Sequence, residues 1–226
     1  MKAYRGLAAL AAALAFATAA AAEPADLGAE AQRRAQVMRD NEALVRELAA
    51  MVAMDMFARD SFLEVRKHAT PAERERLDEI WKAEFKPVDT RNTARLKELL
   101  QGRGWFRYSE IGKRAAGNAF HLVQHSGDLE LMKRVLADME PMLVEKEADP
   151  QEYALLYDRT ATSEKRPQRY GTQGTDCTPD GKYAVPRDLE DPANLDARRA
   201  QVGLQPIAEY LAGLDRMYGV CTPPKG

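Results

Sequence analysis

The chain is poor in cysteine and histidine, with two Cys and three His in 226 residues. That excludes a zinc-ribbon or zinc-finger architecture, which needs four such ligands in close pairs. It also lacks an excess of one charge. Its 33 Lys and Arg face 35 Asp and Glu, a formal net charge of −2, mixed along the chain. There is accordingly no basic footprint for nucleic acid and no polybasic patch for an anionic lipid surface. No Gly-x-x-x-x-Gly-Lys-Ser/Thr phosphate loop and no Gly-x-Ser-x-Gly nucleophile elbow occurs, so neither chemistry is signalled. Internal repeats are absent. Beyond the N-terminus there is no long apolar run, so a membrane span is not expected there.

The N-terminus is different. Met1-Lys2-Ala3-Tyr4-Arg5 is followed by an apolar stretch from Leu7 to Ala17 and by Ala20-Ala21-Ala22. A positive start, a short apolar segment and a small-x-small site are the parts of a secretory signal peptide. The stretch is too short to span a bilayer, which takes about 20 apolar residues. Residues 1–22 therefore read as a removed leader, with one globular domain over 23–226 in the periplasm or the medium. In an oxidising compartment Cys177 and Cys221 are expected to bond. The bridge closes a loop of roughly 45 residues and stabilises by about 4 kcal/mol on the chain-entropy account.

Apolar spacing of three and four dominates the remainder, which predicts an all-α fold of about seven or eight helices. The first helical region runs from Ala31 to Arg66, with a second start possible at Asp40-Asn41. Its apolar line passes through Leu44, Leu48, Met51 or Val52, Asp55, Ala58 or Arg59, and Phe62. Thr70-Pro71-Ala72-Glu73 is a capping box with proline at the first helical position. A helix follows near Val88 to Leu100. Ser109 is the expected cap of a helix carrying Ile111, Ala115, Leu122 and His125, and Asp128 and Asp149 are the expected caps of the next two. Pro141 should kink or end its helix. Between Arg166 and Val185 the chain is rich in Gly, Pro, Thr and Tyr and reads as a short β-hairpin or ordered loop. Asp191-Pro192 and Pro206 open two final short helices.

Several polar residues fall where apolar ones are expected. His125 continues the apolar line of its helix, and Asp128 lies three residues on. Together they form a candidate acid–base pair, His125 as general base and Asp128 as its orienting carboxylate. The alternative is a core histidine beside an N-cap. Asp55 and Arg59 stand four apart on another apolar line, as a structural ion pair or as half of a pocket. Arg159, and Tyr170 and Gln173 in a glycine-flanked loop, supply donors on a backbone that can approach a ligand. His121 and His125 have metal-ligand spacing on one helix face. The intervening Leu-Val-Gln lacks the glutamate of metalloprotease helices, and no motif marks a third ligand, so no metal and no cofactor are expected.

Taken together these segments resemble a bacterial family of unknown function. The resemblance is carried by Asp55-x-x-x-Arg59, Asp89-x-x-Asn92 leading to Gly104-Trp105, and Val123-Gln124-His125 followed by Asp128. It continues through Tyr153 to Arg159, Gln168-x-Tyr170-Gly171-Thr172-Gln173, Glu190-Asp191, Asp196-x-x-Arg199 and Gly203-Leu204, spanning about residues 40–212. It implies an apolar residue in place of His121, and one recurring polar constellation that makes a shared pocket of His125, Arg159, Tyr170 and Gln173 with Asp55 and Arg59 beside them. The expected occupant is a small polar ligand, a peptide or a glycan. An envelope hydrolase and a structural or partner-binding protein are the alternatives. Oligomeric state is not legible.

Overall fold

The computed structural model describes residues 26–173, 176–218 and 221. The leader assigned to residues 1–22 lies outside them. The fold is all-α. Helix α1 (Leu27–Arg66) is one continuous rod, about 60 Å long at 1.5 Å per residue. No second start occurs at Asp40-Asn41, because Asn41 turns its amide back to the Val37 carbonyl at 3.0 Å and the helix runs on through it. Asp26 caps the N-terminus by accepting from the Gly28 and Ala29 amides. Glu30–Arg34 and Glu42–Arg46 pairs at i,i+4 spacing support the exposed half. Its buried residues are Leu48, Asp55, Ala58 and Phe62. These lie on the apolar line read from the sequence, with a carboxylate in the middle of it.

Thr70 and Glu73 close the expected capping box of α2 (Pro71–Ile80). The chain then passes without a break through a π-helical stretch, Trp81–Phe85, into α3 (Lys86–Leu99). Helix α4 (Tyr108–Ser126) is entered one residue before the expected cap Ser109. Gly112, at φ +79°, interrupts it near its start. Asp128 caps α5 (Leu129–Val144) as predicted. Pro141 does not stop α5, which continues about one turn further. Asp149 caps α6 (Pro150–Ser163).

Helix α4 is the hub. Ala115, Ala116 and Ala119 are buried, and these small residues let α1, α3, α5 and α6 all pack against it. Around it gather Leu48, Leu96, Trp105, Phe106, Leu122, Val123, Met132, Val135, Met139 and Leu156. Each buried aliphatic side chain contributes about 1.5–3 kcal/mol of transfer free energy.

The C-terminal third is held by polar contacts. Strands β1 (Asp176–Cys177) and β2 (Tyr183–Ala184) form a two-stranded antiparallel hairpin. Helices α7 (Leu195–Gln201) and α8 (Ile207–Tyr218) follow. Cys177 and Cys221 form a disulfide, with Cα atoms 5.9 Å apart, and Asp215 of α8 accepts from the Tyr183 amide. The stretch 168–172 is not part of the hairpin, because its amides are committed elsewhere.

Candidate functional site

Two polar centres lie in the fold, and the sequence had merged them. The first is built on α1, α3 and α4. Asp55 and Arg59 are four apart on α1, and His121 and His125 four apart on α4, so each pair occupies one helix face. Helix packing sets the two faces opposite one another. Asp55 is 1% exposed and His121 34%, so the cluster runs from the core out to an open edge at His121.

Asp55 Oδ2 lies 2.7 Å from His125 Nδ1 and 3.2 Å from His121 Nε2. The second contact has the distance of a hydrogen bond without its alignment, and His121 Nε2 is buried with no hydrogen-bond partner. Arg59 Nε donates to His125 Nδ1 at 2.7 Å and to Asp55 Oδ2 at 3.4 Å, with Asp55 Oδ1 3.3 Å away. Its Nη2 donates to Asp89 Oδ1 at 2.8 Å. The Arg59 guanidinium also lies over the Trp81 ring, 5.1 Å from its centroid. Asp89 and Trp81 were not among the site residues expected from sequence. The available signal was the Asp89-x-x-Asn92 segment of the family resemblance, to which no site role was attached.

The electrostatics follow from this geometry. Burial pushes the Asp55 carboxyl up, but His121, His125 and Arg59 together outweigh it and hold it well below the usual carboxylate range. Burial and the Asp55 charge push Asp89 up, against Arg59. His125 is pushed down by burial and by the Arg59 charge, with Asp55 opposing. The cluster thus holds one firm anion, Asp55, and an imidazole biased toward its neutral form. One ligand atom from each of Asp55, His121 and His125 lies within 4.8 Å of the others, a donor set able to hold a metal ion.

Arg159, on α6, is close enough to the cluster for the charge of Arg59 to act on it. Its Nε is buried without a hydrogen-bond partner. Burial and the charge of Arg59 both lower its pKa. Among the described residues no carboxylate pairs with it.

The second centre is Asp158, fully buried on α6. Its carboxylate accepts from the amides of Arg169, Tyr170 and Thr172 and from the Thr172 hydroxyl. Gln168 clamps the same loop, its side chain accepting from the Gln173 amide and donating to the Gln173 carbonyl. Arg199, also fully buried, donates to the Tyr170 carbonyl. The described contacts of Tyr170 are with Asp158 and Tyr157 of α6 and with Arg199, and those of Gln173 are with Gln168 and Thr172. The structure therefore brings together Asp55, Arg59 and His125, sets Arg159 within reach of their field, and gives Tyr170 and Gln173 a different set of partners.

Asp128, expected to orient His125, instead accepts from the Leu131 amide at the head of α5 and pairs with Lys97. The helix N-terminus and a lysine on α3 claim that carboxylate, and Asp55 takes the place beside His125. Two cavities lie elsewhere. One of about 970 Å³ separates the N-terminal half of α1 from Tyr108 and Glu147. One of about 350 Å³ lies beside Arg166 and Arg187.

No curated protein and no solved structure matches the chain. Over residues 42–222, which take in both polar centres, the sequence matches a described family, and the chain belongs to it: the family of unknown function DUF6624.

Proposed function

We propose that this is an exported protein that binds a small anionic ligand beside the α1–α4 charged cluster. The observation that carries the reading is Arg159, a largely desolvated guanidinium with no acidic partner among the described residues. Uncompensated buried cations are costly, and they persist where a ligand supplies the missing charge. Arg59 is the contrasting case, being paired with both Asp55 and Asp89. A carboxylate or phosphate bound in bidentate fashion satisfies Arg159 in the geometry a guanidinium prefers. Export is supported by the leader-like residues 1–22 and by the Cys177–Cys221 bridge.

The test is calorimetric titration of the purified protein with inorganic phosphate and with acetate, alongside Arg159→Gln. Binding of either anion that is lost in Arg159→Gln supports the reading. Absence of binding by both, or equal binding by the variant, removes it.

A second reading is favoured by one contact. The 2.7 Å approach of Asp55 to His125 Nδ1 orients the ring and leaves Nε2 without a protein hydrogen bond among the described residues, the arrangement of a general base. An envelope hydrolase would use it to activate water. Hydrolysis of an ester or amide panel that falls at least 100-fold in His125→Ala, with the fold intact, would favour this reading; that threshold is set by the roughly 100–10,000-fold worth of general base catalysis.

A further inference from the structure

We propose that Asp55, His121 and His125 form a binding site for a first-row divalent cation, with zinc the best fit. The inference goes beyond the anion reading and stands on three ligand atoms that the reading does not use.

The first argument concerns protons. His125 Nδ1 accepts from Arg59 Nε–H at 2.7 Å and also faces Asp55 Oδ2 at 2.7 Å. If Nδ1 carries no proton, its lone pair confronts the carboxylate lone pair. If it carries one, its N–H confronts the N–H of Arg59. A proton on Nδ1 lets both nitrogens donate to Asp55, but only with their N–H groups 2.7 Å apart. A divalent cation removes that crowding, because it accepts the Nδ1 and carboxylate lone pairs at once and leaves Arg59 to Asp89, where it already has a 2.8 Å bond.

The second argument is His121. Its Nε2 is buried, sits 3.2 Å from the same carboxylate oxygen and has no hydrogen bond. Two imidazole nitrogens therefore converge on one oxygen. With metal–ligand bonds of about 2.0–2.1 Å, tetrahedral ligands stand about 3.3–3.4 Å apart. The Asp55–His121 separation is near that value, and the Asp55–His125 separation must open by about 0.6 Å, which a small side-chain rotation provides.

The third argument is the frame. His121 and His125 are one turn apart on α4, the most packed helix, and Asp55 comes from the buried line of α1. Arg59 spans both carboxylate oxygens of Asp55, 3.3 Å from Oδ1 and 3.4 Å from Oδ2, so it competes with a cation for this carboxylate as it does for His125. Two imidazoles and one carboxylate suit zinc and its neighbours, and not magnesium or calcium, which take oxygen donors. Three protein ligands leave a fourth position, the arrangement of an ion that holds water. Access fits as well: the cluster opens at His121 and lies outside the two cavities described above, so a bare ion reaches it more readily than a bulky ligand.

The experiment is calorimetric titration of chelator-treated full chain with zinc chloride, with cobalt(II) substitution as a spectroscopic check. The expected result is one equivalent bound, with an intense visible cobalt band from four-coordinate geometry. His121→Leu, at the exposed edge, should keep the fold by circular dichroism and lose more than about 100-fold in affinity, beyond what loss of an outer partner causes. Arg59→Gln should bind zinc more tightly, since it removes a competitor for His125. Arg159→Gln should bind zinc as the wild type does, which separates this inference from the anion reading. No zinc uptake by folded protein, or equal affinity in wild type and His121→Leu, overturns it.

Discussion

Two aspartates, buried to the same degree, meet burial in opposite ways. Asp158 is surrounded by neutral donors: three backbone amides and a hydroxyl. Burial still dominates and its pKa is pushed up. Among the described hydrogen bonds, those of the Asp55 carboxylate come from side chains and none from a backbone amide. It faces an arginine and two imidazoles and is pushed down. A carboxylate satisfied by backbone N–H groups is bound to a conformation, because those donors exist only while the loop is folded. One satisfied by side chains that can change charge or be displaced is bound to a chemistry. Glu152 takes a third course. Half-buried beside Gly117 on α4, its carboxyl is pushed up to about 7 by burial, with the charge of Asp149 adding to it. It resolves burial by holding its proton.

The largest expected break in this comparison is Asp158→Ala. It strands the buried amides of Tyr170 and Thr172 and the half-buried amide of Arg169, and buried donors left unpaired cost about 1–3 kcal/mol each, so a loss of about 3–5 kcal/mol is expected by urea denaturation. A loss under about 1 kcal/mol would mean the loop is held by Gln168 and Arg199 instead.

Glu152 sharpens the comparison through pH. Its folded pKa, about 7, lies above the ordinary 4.5, so the folded state binds more protons between those values. The contribution is fully present below pH 4.5 and is lost as pH rises to about 7, by roughly 2 kcal/mol after allowing for partial exposure. Glu152→Gln should abolish that part of the slope and stabilise the protein at pH 8, read from melting temperatures at pH 5 and 8.

Smaller effects are expected at the charged cluster. Arg159→Gln removes an uncompensated cation and should raise stability by about 1 kcal/mol in the absence of ligand. A clear fall in melting temperature would make Arg159 a structural residue. His121→Leu should change stability by less than about 1 kcal/mol, because the ring is a third exposed and has no hydrogen bond to lose.

Much of the frame was legible. The helical periodicity, the caps at Thr70, Asp128 and Asp149, and the pairing of Cys177 with Cys221 follow from local rules that the structure obeys. The inward position of Asp55 was legible too, since helix phase alone puts it on the buried line with Leu48 and Phe62. What sequence did not disclose was pairing between elements. His125 had a candidate partner three residues away, but a carboxylate at a helix start is claimed by the amides there. The partner it has is 70 positions distant. The Tyr170–Gln173 loop looked like a ligand cradle because its donors are the same whether they face a ligand or Asp158. The continuity of α1 past Asn41 was hidden because a good cap residue is also tolerated inside a helix when it bonds back to the preceding turn.

The π-helical stretch Trp81–Phe85 has a consequence for how α2 and α3 are phased. A π turn carries one residue more than the α-helical ladder requires, and each residue advances an α-helix by about 100°. Everything after Phe85 is therefore rotated by that step relative to a plain continuation of α2. The rotation turns Asp89 toward Arg59, while Trp81, before it, still covers the guanidinium. Deleting Ala83 alone would restore an unbroken rod of ordinary pitch and carry Asp89 about a quarter-turn away from Arg59. The register of one helix, more than any single side chain in it, sets whether the arginine beside His125 is anchored.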